Sequence, residues 1–357
     1  GFALGWFPTD IILSANMIAV GTIAFHLLVI HGGTMIDLRM LKAKKQDALV
    51  CLLATLALVV IVGFGLSPII GRELALLSPG SVVGGGASCA IASRWVLDKN
   101  PGISVYPWMI FMFQGLFSVP IVTWALKKEA SGLLEDLHSG KISPPAAPPT
   151  GVGGRPGAAP AFGPCAKIPA PFKTTAYYLG IIMLVGVLNK ALLGALASVG
   201  IAINVNVTAL LFGLLLGSLG IMDRAPLFRS DSYGLLLLGL MGLMANTLAH
   251  NSPGNMLRLI PPLLLAFVVS TAVLTAAGVI AARLLHFRPA RGIALTMNCM
   301  MGFPVNGMLV ANAAKLGTNE QERGFLTAAL SPLLGLGTML ISNAVSILVV
   351  SIMVGMV

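Results

Sequence analysis

The stretch GSVVGGGASCAIASRW, residues 80–95, sets the reading of the whole chain. It is apolar enough to lie in a bilayer, yet Gly84, Gly85 and Gly86 follow one another in its middle. Three consecutive glycines break a helix and bare backbone N–H and C=O groups. Inside hydrocarbon that is tolerated only where the backbone lines a polar cavity or is covered by protein. A second stretch, TMNCMMGFPVNGMLVAN at 296–312, has the same character, with Gly302, Pro304 and Gly307 interrupting an apolar run that also holds Asn298 and Asn306. Neither reads as an ordinary spanning helix.

Around these two segments the chain is 57% apolar and only 10% charged over 357 residues, which excludes an ordinary water-soluble domain. Apolar runs that reach about 20 residues, without period-2 alternation, predict spanning α-helices rather than barrel strands. The expected spans lie near 10–30, 48–70, 106–126, 174–198, 201–222, 233–250, 259–286 and 325–356, with the short Gly-rich elements near 80–97 and 293–314. The fold class is therefore an all-α polytopic membrane protein.

The net charge of +10 belongs to the loops. Lys and Arg gather at 39–45, 127–173, 224–229, 283–291 and 315–323, between the apolar runs, as the positive-inside rule expects of cytoplasmic loops. No basic groove interleaved with aromatics occurs, so nucleic acid is not an expected partner; the lipid bilayer is. Residues 128–173, with the core PPAAPPTGVGGRPGAAPAFGP, read as a disordered cytoplasmic linker between a first unit, 1–127, and a second, 174–357. Each unit runs through a helix, a loop, a second helix, a Gly-rich element and a last helix. The loop charges place the first Gly-rich element on the outer side and the second on the inner side. The expectation is thus two inverted repeats, each with a re-entrant hairpin, the plan of many secondary transporters. The chain opens on Gly1 within an apolar stretch, which reads as a truncated N-terminus; the repeat implies about one and a half further helices ahead of it.

A half-helix starting after Gly84–Gly86 would aim its N-terminal N–H groups at an anion near Gly85, Gly86, Ser88 and Cys89. Close packing of helices at small residues is the competing reading. Pro304 frees a carbonyl near Gly302, which suits a cation, with a simple kink as the alternative. Gln114 and Ser118, and likewise Ser342, Asn343 and Ser346, are polar residues inside last helices, where a ligand contact and an interhelical hydrogen bond explain them equally. Lys190 is the one basic residue well inside a span, either paired or snorkelling. His26, His31 and His250 lack metal-site spacing and read as structural; the four separated cysteines suggest neither disulfides nor a transition-metal site. Every acidic residue falls at a span end or in a loop, which disfavours a proton-coupled mechanism. The signatures of intramembrane hydrolases and ATP-driven pumps are missing from the sequence.

The order of spans and the two hairpins resemble the bacterial sodium/glutamate symporter family. Its Gly-Gly-His-Gly-Thr signature matches Gly84, Gly85, Gly86, Ala87 and Ser88, with Gly86 in place of the histidine. The segment from Cys299 to Asn312 ends in Ala-Asn as the family's does, and Pro332 to Gly335 keeps a Pro-x-x-Gly in the final helix, with Asn343 beyond it. The resemblance implies a non-enzymatic carrier of a small carboxylate such as glutamate in a bacterial plasma membrane. It also implies Na+ as coupling ion and a homodimeric scaffold. On this reading Gly85, Gly86, Ser88 and Cys89 face the substrate with Asn298 and Asn306 opposite, while Gly302, Pro304, Gln114 and Asn343 serve the ion. The alternatives are another anion (keto acid, 2-hydroxycarboxylate, bicarbonate), a sodium-translocating subunit of a decarboxylase complex, or a channel.

Overall fold

A computed structural model describes residues 6–8, 10–36, 38–142, 163–200, 203–301 and 305–356. The described residues contain no strand. The principal helices are α1 (Met17–Met35), α2 (Lys45–Gly65), α3 (Arg72–Val82), α4 (Gly86–Leu97), α5 (Tyr106–His138), α6 (Thr175–Ser198), α7 (Val205–Ser218), α8 (Tyr233–Ala249), α9 (Pro253–Leu284), α10 (Pro289–Met297), α11 (Val305–Ala314) and α12 (Glu320–Val354). Six of them, α1, α2, α5, α6, α9 and α12, are long and apolar enough to cross a membrane. The protein is a multi-pass helical membrane protein by that measure.

Two expected spans come out short. The span near 201–222 is α7, whose 14 residues rise about 21 Å, against the ~30 Å of a hydrocarbon core. Asn204 starts it by accepting the Asn206 N–H at 2.9 Å, and Gly220, at φ +68°, follows its end. The span near 233–250 is α8, with 17 residues. The expected first span near 10–30 starts later, because Asn16 adopts a left-handed conformation (φ +55°) that breaks the chain before α1.

The segment 128–173 is ordered at both ends, which corrects its reading as a wholly disordered linker; its Pro/Gly core, 143–162, lies outside the described residues. α5 runs on to His138 because its charged last turns find partners. Arg288 pairs with Asp136, donates to the Gly132 carbonyl at 2.7 Å and lies 3.7 Å from buried Glu129; His138 meets Glu322 at 3.0 Å. At the other end Cys165 N–H donates to the Gly220 carbonyl at 2.9 Å. Lys173 binds buried Asp223 at 2.8 Å, and Tyr178 donates to the same carboxylate at 3.1 Å. Desolvation draws the Lys173 ammonium down, but Asp223 outweighs it, and the pKa stands above the ordinary lysine value.

Both Gly-rich elements are broken helix pairs. In the first, α3 and α4 meet through residues 83–85; in the second, α10 passes through a short turn, Asn298–Met300, towards α11. These hairpins root at opposite ends of α2. The first follows the C-terminal end of α2 directly, through Gly71 at φ +89°, a conformation glycine adopts without strain. The second is tied to the N-terminal end of α2, where Arg291 clamps the two carboxylate oxygens of buried Asp47 at 3.0 and 2.9 Å. Small residues bring the scaffold close. A Cβ on Gly33 of α1 would stand 2.3 Å from the Leu210 carbonyl of α7, and one on Gly292 of α10 would stand 2.1 Å from the Gly278 carbonyl of α9. Where lipid tails are as apolar as the side chains, such close contact supplies the attraction between helices.

Candidate functional site

The two hairpin tips meet at a partly open cavity of about 320 Å3, within the range of small-ligand sites. Gly85, Gly86 and Ala87 of the first tip line it, and so do Met300, Met301 and Val305 of the second. α1, α5, α8 and α12 complete the wall. Among the described residues no Asp, Glu, Lys or Arg lines it, so neutral dipoles are what its described wall offers to a charge.

The first tip is bare. α4 begins at Gly86 with no side chain capping its N-terminus, leaving N–H groups directed at the cavity edge. Space explains two of the three glycines. A Cβ on Gly84 would stand 2.4 Å from both the Gly80 carbonyl and the Ser88 Cβ, whereas one on Gly85 would meet nothing within 4 Å. Gly84 is therefore a packing requirement, and Gly85 keeps the cavity open.

Ser88 and Cys89 do not reach the cavity. Ser346 donates to the Ser342 carbonyl at 2.7 Å, so the fully buried Ser88 hydroxyl, 2.7 Å from the Ser346 Oγ, is the donor of that pair and ties α4 to α12. Cys89 is fully buried, its Sγ turned to the Ser81 carbonyl within the hairpin. Both hold the hairpin rather than face a ligand.

The second tip is laced to α12. Helix α12 widens to π-helix over Gly337–Val345, a local irregularity frequent at functional sites. Thr338 and Ser342, four residues apart, turn their hydroxyls to the tip. Ser342 donates to the Cys299 and Met301 carbonyls at 3.1 and 3.0 Å, and Thr338 lies 3.3 Å from the latter. Asn298 donates to the Leu334 carbonyl at 2.6 Å, and Asn306 bonds Thr338. The side-chain oxygens of both Asn298 and Asn306 are buried without a partner. Buried polar atoms are usually satisfied, which makes these two oxygens candidates for a ligand or a bound water. Neutral oxygens of amide, hydroxyl and carbonyl type are what a hard cation takes. Gly302 and Pro304, expected to hold the ion, lie outside the described residues.

Gln114 and Asn343, also expected at the ion, line the cavity between the tips. The Gln114 Oε1 is buried and unpartnered, and Asn343 has only a long contact, 4.0 Å, to the Met35 Sδ. Sequence reasoning missed His31. It lines the cavity, is 1% exposed, and accepts the Leu227 N–H on Nδ1 at 3.3 Å. That bond fixes the neutral tautomer with its proton on Nε2, and Nε2 has no partner. Phe228 and Tyr233, stacked on each other at 4.3 Å, flank the ring with centroids at 5.0 and 5.5 Å. The sequence around His31 carries no pairing signal, so only the tertiary structure could expose this donor. Lys190 is exposed on α6 and has no ion-pair partner among the described residues, while Asn189 donates to the Val205 carbonyl at 3.1 Å.

No protein-family model and no curated protein matches the chain.

Proposed function

We propose that this chain is a secondary active transporter, a sodium-coupled symporter of a small carboxylate. One observation carries the reading: two broken-helix hairpins, rooted at opposite ends of α2, bring their tips together at one cavity that has no Asp, Glu, Lys or Arg among its described lining residues. An ordinary helix bundle needs no such tips, and discontinuous helices meeting at mid-depth are how transporters hold small ions. In this reading α1 to α5 and α8 to α12 are the two inverted repeats. The uncapped start of α4 and the His31 Nε2–H receive the carboxylate. Asn298, Asn306, Thr338 and Ser342 receive Na+ as cargo, so the two asparagines serve the ion and not the substrate. Gln114 and Asn343 then face the substrate.

The test is uptake of radiolabelled glutamate, keto acids, 2-hydroxycarboxylates and bicarbonate into proteoliposomes, with and without an inward sodium gradient. Sodium-driven uptake of one carboxylate, lost in Asn298→Ala with folded protein retained, supports the reading. Gradient-independent flux would replace it with a channel.

A further inference from the structure

A second cavity, of about 670 Å3, lies on the same seam as the first. Its wall is built from α1, α4, α8 and α12 again, at positions one helical turn further on. Leu28 of α1 lines the first cavity and Phe25 the second; Ala87 and Ala90 of α4, and Leu240 and Leu243 of α8, divide in the same way. Three residues separate each pair, about 4.5 Å of helical rise, and all of them are apolar. The two compartments are therefore consecutive along one route, with a single apolar turn between them.

Their chemistry differs. Arg94, in the last turn of α4, lines the second compartment, is exposed, and has no hydrogen bond or ion pair among the described residues. Asp98, one turn on, also lines the compartment, and among the described residues no ion pair joins it to Arg94. A concave wall carrying an unpaired guanidinium offers a carboxylate its counter-charge.

We propose that the second cavity is an antechamber that takes up the small carboxylate at Arg94 before the apolar turn opens to pass it to the first. The positive-inside rule puts the basic loop 39–45 at the far end of α1, so the antechamber opens on the outer side. This inference rests on the transport reading above.

The experiment uses the full chain in proteoliposomes carrying Thr247→Cys, a position on the antechamber wall. All four native cysteines are buried, so background labelling is low. An anionic membrane-impermeant thiol reagent should modify it about fivefold faster than a cationic reagent of equal size; Arg94→Gln should bring the ratio near one and Arg94→Lys should restore it. In uptake, Arg94→Gln should raise the apparent KM about fivefold with the maximal rate within twofold, since the barrier beyond is untouched. No labelling, or equal rates with Arg94 in place, overturns the antechamber even if uptake is sodium-driven. Charge-selective labelling in a wild type that moves no carboxylate would leave the anion chamber standing and sink the transport reading.

Discussion

The two hairpin tips face the same cavity with opposite chemistry. The first presents backbone N–H groups across a gap kept open by Gly85, with no side chain capping the start of α4. The second presents carbonyls bound to the hydroxyls of Thr338 and Ser342, and behind them two asparagine oxygens buried without a partner. On the proposed reading, the donor tip is matched to an anion and the acceptor tip to a cation. Neutral walls also avoid leaving an uncompensated charge in the bilayer when the cavity is empty.

The comparison breaks most easily at the glycines. Gly84→Ala should cost about 3 kcal/mol of stability, since its Cβ meets a backbone carbonyl that cannot move aside, while Gly85→Ala should leave the melting temperature in detergent within a degree or two. Equal damage from both would mean that the first tip is only a packing element. The second tip is tested through the ion: Asn298→Ala and Asn306→Ala should each raise the sodium half-saturation about tenfold, or ~1.4 kcal/mol, with KM for carboxylate at saturating sodium within twofold. An equal effect on both constants would erase the division of labour between the tips. His31→Leu should raise the carboxylate KM about fivefold without moving the sodium constant, and His31→Gln, which keeps a donor, should recover part of it. Ser88→Ala should cost about 1 kcal/mol of stability and leave KM unchanged, because its hydroxyl serves Ser346 and not the cavity. The smallest effect is on pH. With the Lys173 pKa raised in the folded protein, the pair with Asp223 stabilises fully below about pH 10 and is lost as the pH rises through the folded value. A melting temperature level from pH 7 to 9 and falling above pH 10 checks this, and Asp223→Asn should remove the fall.

The legible part of the site followed from composition. Gly84–Gly86 and the Gly302, Pro304, Gly307 series announce broken helices whatever surrounds them, because glycine and proline act on their own backbone. Gln114, Asn298, Asn306 and Asn343 stood out as amides in apolar runs; Gln114 and Asn343 line the cavity, whereas Asn298 and Asn306 are buried against α12. Which of them serves which ligand was not legible, because that depends on which oxygen is left without a donor once α12 has bound the tip. His31 was invisible for a similar reason: its role comes from the Leu227 N–H, 196 residues away, that fixes its tautomer.

The sequence by itself determined the solvent, the helical class and the places where helices break, since hydropathy, glycine and proline are properties of short stretches. Only the tertiary structure decided that Ser88 is a clasp and His31 a donor, that the supposed linker extends α5, and that two cavities share one seam. These rest on which groups are left unsatisfied after distant segments pack, and no local pattern encodes that remainder.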